Sequence, residues 1–298
     1  MKVLITGAGG QLGRDLLDAF VGHQVTGLAR CDLDVADEAA VAEVVGDLGP
    51  DLVVNAAAWT AVDACEADPE RAHRINALGP WWLARACERI GATLLTVSTD
   101  YVFDGIAPAG PAGTVRGYTE FDPVGPINVY GRSKAAGEQL VRDTLGTHHI
   151  VRTSWVSGAT GSNFVTAMLR LARERDRLTV VADQHGAPTY TRDLAAAIRR
   201  AAVSGRYGTW NLTNAGSCSW HEYASAIVEL AGLDTPVDPI PTTDWPTPAA
   251  RPAWSVLDGT HAVTCGIGPL PHWRDGLSRL LDELGELRSP AVGIDERT

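Results

Sequence analysis

A glycine-rich segment near the start of the chain constrains the fold more than any other part of the sequence. It reads GAGGQLG over residues 7–13, follows a short apolar run typical of a β-strand and opens a helical pattern. Glycines at such a junction let the chain turn tightly, let backbone N–H groups approach a pyrophosphate and let the helix pack against the strand. The amino-terminal end of the helix then favours the anion. We therefore predict a dinucleotide-binding unit whose contacts are made by Gly7, Gly10, Gln11, Leu12 and Gly13.

Beyond this segment, the first half of the chain alternates short aliphatic runs with longer helical patterns. The predicted strands are residues 2–6, 24–28, 51–55, 93–98 and 149–152. Such alternation indicates parallel strands joined by helical crossovers. The third and fourth runs are apolar almost throughout, as expected when helices cover both faces of a sheet. The sequence therefore predicts an α/β fold with a doubly wound parallel sheet, the Rossmann arrangement.

The second half has a different texture, with helical patterns separated by loops that contain proline and glycine. The predicted helices are residues 163–173, 192–202 and 220–231. We expect a dinucleotide-binding domain over residues 1–156 and a smaller, mostly helical substrate lobe over residues 157–288, with interleaving of the two left open. Residues 289–298 have few groups to bury, and a disordered tail is expected there.

Two loops stand out by composition. Residues 235–252 contain six prolines, too many to sustain a helix or a central strand, and predict an ordered loop. Residues 104–128 are rich in glycine and proline, and long connections of this kind inside compact enzymes are often active-site loops.

Composition excludes several classes of function. Lysine and arginine number 25 against 36 acidic residues, and the resulting net charge of −11 argues against nucleic acid as the main partner. No apolar run approaches the ~20 residues of a membrane span. The five cysteines are scattered, and no secretory leader pattern opens the chain, so we expect a cytoplasmic location. The eight histidines form no metal-ligand pattern, and no metal site is predicted.

The end of the second predicted strand bears on the choice of cofactor. Arg30 stands about where an arginine would suit the 2′-phosphate of NADPH, while Asp32 nearby leaves NADH open. We assign Leu33 to the same contact region. Ala56, Ala57 and Ala58 follow the third strand, and their small side chains would let the cofactor lie against the backbone. An exposed surface arginine and simple helix packing are the respective alternatives.

A tyrosine and a lysine four residues apart suggest proton-transfer chemistry. Tyr130 and Lys134 would lie on one face of a helix. A ketone that accepts a hydride also needs a proton, and a neighbouring ammonium would lower the pKa of the phenol and ease its release. By itself this spacing is more often a surface pair. Here Thr99 ends the preceding strand, where it can hydrogen-bond a carbonyl oxygen, and the glycine-rich segment supplies a reason for a hydride donor to be present.

Further strings of residues resemble a known family. Together with the glycine-rich segment and the Tyr130–Lys134 pair, the strings NAAA at 55–58 and STDYVF at 98–103 resemble the extended short-chain dehydrogenase/reductase superfamily. A closer resemblance, to the dTDP-4-dehydrorhamnose reductase family, rests on NVYG at 128–131, RTSWV at 152–156, NF at 163–164, DQHGAPT at 183–189 and RP at 251–252.

This resemblance implies reduction of the C4 ketone of dTDP-4-dehydro-β-L-rhamnose by NADPH or NADH. The family's catalytic threonine, tyrosine and lysine map onto Thr99, Tyr130 and Lys134, and the last two would also contact the cofactor. The substrate contacts that it implies are Thr99, Asp100, Tyr101, Trp155, Asn163, Gln184 and Arg251. Core packing is the alternative for Trp155. Some relatives need magnesium to form dimers, so the resemblance leaves a magnesium ion and a homodimer open.

The sequence also departs from the family pattern. Arg30 replaces an acidic residue of some relatives, Ser157 stands where a tyrosine is frequent, and the loop 105–117 is longer than expected. Another dTDP-4-keto-6-deoxysugar, such as a precursor of dihydrostreptose or of an antibiotic sugar, is therefore an alternative substrate. Two further alternatives are a non-catalytic regulatory subunit, like that of methionine adenosyltransferase, and an epimerase or dehydratase of the same superfamily. The complete set of Thr99, Tyr130 and Lys134 argues against the regulatory subunit.

Overall fold

A six-stranded parallel sheet forms the centre of the computed structural model, which describes residues 1–288. Its strands lie in the order β2, β1, β3, β4, β5, β10. Their bounds are β1 Lys2–Thr6, β2 Gln24–Leu28, β3 Leu52–Asn55, β4 Thr93–Thr99, β5 His148–Thr153 and β10 Gly208–Asn211. The doubly wound fold predicted from the sequence is confirmed, and the first five strands agree with the predicted ones to within one residue at either end.

Alternate residues of each strand enter separate apolar cores on the two faces of the sheet. On β1, Val3 and Ile5 face one core, whereas Leu4 faces the other. The helices that precede β4 are α1 Gln11–Ala19, α2 Glu38–Leu48, α3 Val62–Ala67, α4 Pro69–His73 and α5 Gly79–Ile90. A single π-helical turn, Arg74–Leu78, joins α4 to α5, and α6 Val129–Thr144 follows β4. Burial on both faces explains why β3 and the middle of β4 are mostly apolar, whereas the edge strand β2 is only partly buried.

The second half of the chain builds a helical layer with three small two-stranded sheets. Its helices are α7 Phe164–Glu174, α8 Thr191–Ala202, α9 Trp220–Leu230, α10 Thr260–Thr264 and α11 Trp273–Glu283. The small sheets pair β6 Val156–Ser157 with β9 Thr189–Tyr190, β7 Leu178–Val181 with β12 Val237–Ile240, and β8 His185–Gly186 with β11 Cys218–Ser219. The three helices α7, α9 and α11 share one apolar core. From this half, α8 packs on α1 and β10 extends the large sheet beside β5.

The loop predicted over residues 235–252 contains one short strand, β12. Pro239 lies within it, opposite Val180 of β7. In a two-stranded sheet each strand is an edge, so the missing N–H of a proline can face away from its neighbour. The segment 104–128 is a loop as predicted, anchored where Tyr118 stacks on Phe103 with ring centroids 4.1 Å apart.

Two searches of residues 1–288 bear on membranes and metals. None of the helices there combines the length and the apolar character that crossing a membrane requires. Within the same residues, no group of three or more histidine, cysteine, aspartate or glutamate side chains is arranged to hold a metal ion. The tail predicted over residues 289–298 lies outside the described residues.

Candidate active site

A cleft of about 630 Å³ opens at the carboxyl ends of the central strands. The turns after β1, β3, β4 and β5 and the first turns of α6 form its walls, which is where open α/β sheets bind ligands. A second cavity of about 470 Å³ adjoins it and shares Gly9, Gly10 and the alanines at 56–58. The two cavities together form one long groove along the edge of the sheet.

The glycine-rich turn approaches its neighbours too closely for any side chain. Gly7 has φ +72°, and a Cβ there would lie 2.7 Å from the backbone of Ala56 and Ala57. A Cβ on Gly13 would lie 2.1 Å from the carbonyl oxygen of Gly7. Gly10 is the N-cap of α1 and has no side chain that could accept hydrogen bonds from the first N–H groups of the helix. These N–H groups therefore have no capping partner at the groove. The turn is therefore shaped to receive an anionic group.

Gln11 lies beside this turn and ties it to the second half of the chain. Its Oε1 accepts hydrogen bonds from the backbone N–H of Gly158 and from Nδ2 of Asn163, each at 2.9 Å. Its Nε2 donates to the carbonyl oxygen of Ser162 at 3.3 Å. Asn163 also caps α7, where its side chain accepts from the N–H of Thr166. Asn163 is thus placed behind the groove rather than among the residues that line it.

The smaller cavity holds two of the three residues predicted to contact the part of the cofactor that distinguishes NADPH from NADH. Arg30 and Leu33 line it, with Arg30 exposed and Leu33 buried. Asp32 does not line it, because its carboxylate accepts a hydrogen bond from the N–H of Ala29 at 2.8 Å and so closes the local turn. The Arg30 guanidinium, rather than the Asp32 carboxylate, is therefore presented at this end of the groove, where Asp34 is the other charged residue of the lining.

Ala56, Ala57 and Ala58 line both cavities and are held in place by a buried asparagine. The Asn55 side chain accepts from the Thr6 hydroxyl at 2.7 Å and from the N–H of Ala57 at 3.1 Å. It donates to the Thr96 hydroxyl at 3.1 Å and so links β1, β3 and β4. In the sequence, Asn55 stood out only as part of the NAAA string, and no role was predicted for it. Its hydrogen-bond partners Thr6 and Thr96 lie on neighbouring strands that are distant in the chain.

The structure brings together the three residues that were predicted to be catalytic. Thr99 ends β4, while Tyr130 and Lys134 lie on the first turns of α6, and all three are at most 9% exposed. Asn128 caps this helix by accepting from the N–H of Gly131 at 2.8 Å. A Cβ on Gly131 would lie 2.1 Å from the carbonyl oxygen of Tyr101, so glycine lets α6 approach the end of β4. This approach sets the phenol beside the threonine.

The electrostatics of the phenol differ from the prediction. Burial raises the pKa of Tyr130, the negative charge of Asp100 raises it further, and hydrogen bonding with Thr99 lowers it. The sequence predicted a pKa lowered by Lys134, but the Lys134 ammonium donates to the carbonyl oxygen of Val97 at 2.6 Å. Desolvation is therefore the dominant effect on the pKa of Tyr130, and the phenol is neutral at physiological pH.

Two further ionisable groups in this part of the cleft, Lys134 and Asp100, are also shifted by burial. Burial lowers the pKa of Lys134 to about 8, while the negative charge of Glu138 acts to raise it. Burial raises the pKa of Asp100 to about 6, against hydrogen bonds from Ser255 and Thr99 that lower it. Near pH 7 the cleft thus holds a neutral phenol, an ammonium and a carboxylate that is mostly ionised.

Aromatic residues form the far wall of the cleft. Trp155 has φ +48°, a left-handed conformation that is costly for a non-glycine residue. Its ring stacks on Trp220 with centroids 3.5 Å apart and planes 8° apart. Both rings line the cleft, and Tyr101 lines it nearer to Tyr130. Trp220 was not predicted as a site residue, since its place at the start of an amphipathic helix gave no sign that it would meet Trp155.

Besides Asn163, two further predicted substrate residues lie outside the lining of the cleft. Gln184 is buried and donates from Nε2 to the Thr242 hydroxyl at 3.0 Å. Arg251 forms an ion pair with Asp63 at 2.8 Å. Desolvation raises the pKa of the partly buried Tyr101, and the charge of Arg251 acts to lower it. The loop 104–128 likewise contributes no residue to the lining.

Comparison with known proteins finds similarity along nearly the whole chain. A family model described as RmlD substrate binding domain matches residues 1–286. A dTDP-4-dehydrorhamnose reductase of Streptomyces griseus is 44% identical over 301 residues, with 97% of this chain and 96% of that protein covered. The spore coat polysaccharide biosynthesis protein SpsK of Bacillus subtilis is 44% identical over 284 residues, with 95% and 97% covered. The crystal structure of dTDP-4-dehydrorhamnose reductase from Bacillus anthracis in complex with NADP is 39% identical, with a TM-score of 0.90 and 95% and 99% of the two chains covered.

Proposed function

Because the chain belongs to the family of the RmlD substrate binding domain, we propose that it reduces the C4 ketone of a dTDP-4-keto-6-deoxysugar with NADPH. The leading substrate is dTDP-4-dehydro-β-L-rhamnose, and the product is dTDP-L-rhamnose. The observation that carries the proposal is the meeting of Thr99, Tyr130 and Lys134 in one buried cleft, next to a turn built for a pyrophosphate. Relatives at 44% identity that are named for this reaction support it.

The groove fits a nicotinamide dinucleotide. Backbone lies where a Cβ would be at Gly7 and Gly13, which leaves room for close contact with a pyrophosphate. Ala56, Ala57 and Ala58 keep the middle of the groove open, and Gln11 and Leu12 border it. We place the adenosine end near Arg30 and Leu33, and the nicotinamide end near Tyr130 and Lys134. A bound reduced nicotinamide supplies the hydride.

We assign proton transfer to Tyr130. As hydride reaches the C4 carbon, the carbonyl π bond breaks and its electron pair moves to oxygen, which takes the phenolic proton of Tyr130. The Thr99 hydroxyl donates a hydrogen bond to the same oxygen and so stabilises its developing charge. Lys134 stabilises the phenolate that remains. A proton from solvent then restores the phenol, and the balance is one hydride and one proton per alcohol formed.

We propose that the sugar and nucleotide lie against the wall formed by Tyr101, Trp155 and Trp220. Stacking on an aromatic face buries apolar area and fixes the orientation of a ring. Asp100 is placed to bind a sugar hydroxyl. Asn163, Gln184 and Arg251 remain proposed substrate contacts from the family resemblance; in their described positions they bond Gln11, Thr242 and Asp63 instead.

We expect the turnover number to fall as the pH rises through about 8. Lys134 must be charged to stabilise the phenolate, and its pKa of about 8 makes the ammonium the dominant form only below that value. Tyr130 keeps its proton across this range because its own pKa is raised. Measuring kcat against pH at saturating substrate checks this, and a profile flat up to about pH 10 would contradict the assignment.

We expect Arg30→Ala to weaken NADPH binding about tenfold while NADH binding changes little, because a charge-assisted hydrogen bond to the 2′-phosphate is lost. Dissociation constants from cofactor fluorescence for both dinucleotides measure the ratio. Arg14→Ala is the comparison variant: Arg14 lines the larger cavity and not the one that holds Arg30, so any loss of affinity should be equal for NADPH and NADH. If Arg30→Ala weakened the binding of NADPH and NADH equally, Arg30 would not contact the 2′-phosphate and would contribute only a nonspecific positive charge.

The function itself is tested by mixing the protein with NADPH and each of a panel of dTDP-4-keto-6-deoxysugars. We expect NADPH to be oxidised one-for-one with the formation of dTDP-L-rhamnose, identified by NMR. A stereoisomeric product formed without net oxidation would indicate an epimerase instead. No turnover with any sugar, together with stable association with a partner enzyme, would indicate a regulatory subunit. Parallel assays with EDTA and with added magnesium decide the metal dependence.

We also retain the division into residues 1–156 and 157–288 as a proposal. The shared core of α7, α9 and α11 supports a separate lobe, whereas β10 in the large sheet supports interleaving of the two. The proposed cytoplasmic location is supported by five cysteines that are all free. A homodimer is tested by sedimentation of the purified chain.

A further inference from the structure

A buried carboxylate lies one helical turn beyond Lys134. Glu138 is 2% exposed and accepts hydrogen bonds from three side chains. The Ser98 hydroxyl donates to Oε1 at 2.6 Å, and Arg152 donates from Nε and Nη2 at 3.0 and 2.7 Å. Arg142 donates from Nη2 at 2.6 Å. The carboxylate thus joins β4, β5 and α6, the elements that carry Thr99, Thr153 and Tyr130.

These bonds belong to a row of contacts between α6 and the end of β4. Lys134 donates to the carbonyl oxygen of Val97, Glu138 accepts from Ser98, and Tyr130 hydrogen-bonds Thr99. Three successive residues of the strand therefore meet three residues spaced by one turn on the helix. Ser98 is also the direct neighbour of Arg152 across the sheet, so Glu138 spans the pair. Movement of its carboxylate would shift the strand end that holds Thr99.

The carboxylate also provides negative charge close to the lysine. Burial disfavours the Lys134 ammonium, and Glu138 acts against this effect. Although burial favours the neutral acid of Glu138, hydrogen bonding and charge from Arg152, aided by Ser98 and Arg142, hold its pKa below the usual value. The other titratable groups on the surrounding elements include Tyr130, Arg132 and Arg142 on α6, His149 and Arg152 on β5, Asp100 after β4, Glu120 in the loop before α6, and Asp63, Cys65 and Glu66 on α3.

We propose that Glu138 is a positioning residue for the reaction proposed above: its carboxylate fixes α6 against the strand end that carries Thr99, and its charge keeps the buried Lys134 protonated. Glu138 does not line the cleft and touches neither reactant. A purely structural ion pair would stabilise the fold in the same way but would leave the protonation of Lys134 unchanged. The charge state of the lysine therefore separates the two roles.

The sequence makes a direct measurement possible, because it contains only two lysines, Lys2 and Lys134. Protein labelled with carbon-13 at the lysine Cε atoms gives two NMR signals, and Lys2→Arg assigns them. We expect the Lys134 signal to titrate near pH 8 in the wild type. In Glu138→Gln we expect it to titrate about one unit lower, a tenfold smaller protonated fraction above its pKa. Glu174→Gln, an exposed carboxylate paired with Arg170 on α7, is the matched control and should leave the titration unchanged.

The pH dependence of kcat provides a second, independent test of the proposal. In Glu138→Gln we expect the fall of kcat at high pH to move down together with the lysine titration. Ser98→Ala keeps the charge but removes the bond to β4, and we expect it to lower kcat about tenfold without moving the pH profile. An unchanged lysine titration in folded Glu138→Gln would overturn the charge role, and full activity of Ser98→Ala would overturn the anchoring role.

If Glu138→Gln does not fold, a substitution of the more exposed Arg142 provides a second test. The side chain of Arg142 is 30% exposed and shares the carboxylate with Arg152. Arg142→Gln removes one cation from Glu138, and we expect the pKa of Lys134 to rise; no rise would overturn the proposal. Because the NMR titration needs no substrate, an inactive wild type would refute the proposed function while leaving this inference to be decided by the titration.

Discussion

Tyr130→Phe is expected to lower kcat about a thousandfold, a cost of about 4 kcal/mol in the transition state. The substitution removes only the hydroxyl, and the ring keeps its edge contact with Tyr101, whose centroid lies 6.0 Å away. The carbonyl oxygen then loses its proton donor, and the Thr99 hydroxyl can offer a hydrogen bond but no comparable acid. Single-turnover rates with NADPH and the keto-sugar measure the chemical step directly.

The controls for this variant separate chemistry from binding. NADPH affinity is expected to stay within about threefold of the wild type, because the cofactor gains little affinity from a hydroxyl that acts on the substrate. Thr99→Val is expected to cost about a hundredfold, less than the loss of the acid. If Tyr130→Phe kept more than about a tenth of the wild-type rate, another group would have to supply the proton.

Gly13→Ala is expected to abolish measurable NADPH binding and to destabilise the fold by about 3 kcal/mol. The added methyl would lie 2.1 Å from the carbonyl oxygen of Gly7 and 2.7 Å from the Cα of Ala8. Backbone atoms cannot rotate aside as a side chain can, so α1 must move away from β1 and open the phosphate turn. Fluorescence titration with NADPH and urea denaturation measure the two effects.

Gly46→Ala is the matched control for this substitution. Gly46 lies within α2, is exposed, and has no atom within 4 Å of an added Cβ. We expect it to stabilise the protein by roughly 0.5–1 kcal/mol, because alanine favours a helix interior over glycine. Wild-type cofactor affinity in Gly13→Ala would show that the turn is not the pyrophosphate site.

Local sequence patterns predict most of the large sheet because β1, β3, β4 and β5 are largely buried on both faces. Residues 2–6 and 24–28 were predicted with the bounds that the structure has. The sixth strand, β10, was not predicted, because it pairs with a strand almost sixty residues earlier and has no apolar run of its own. The strand β12 was missed because its proline is acceptable only in an edge strand, and each strand of a two-stranded sheet is an edge.

The candidate site was predictable where a residue's role follows from its type and spacing. Tyr130, Lys134 and Thr99 meet as expected. Three features depended on contacts between distant segments: the stacking of Trp220 on Trp155, the bonds from Gln11 to residues 158–163, and the position of Glu138 beneath Lys134. The sequence predicted a lowered pKa for Tyr130, whereas burial raises it. The degree of burial depends on tertiary packing, which local sequence does not reveal.

The most direct test follows a hydride into the product. The protein is incubated with dTDP-4-dehydro-β-L-rhamnose and NADPH that carries deuterium at the transferable position of the nicotinamide ring. We predict one deuterium on C4 of dTDP-L-rhamnose for each NADPH oxidised, detected by NMR. Oxidation of NADPH without deuterium at C4, or a sugar product formed while NADPH stays intact, would contradict the proposed reduction.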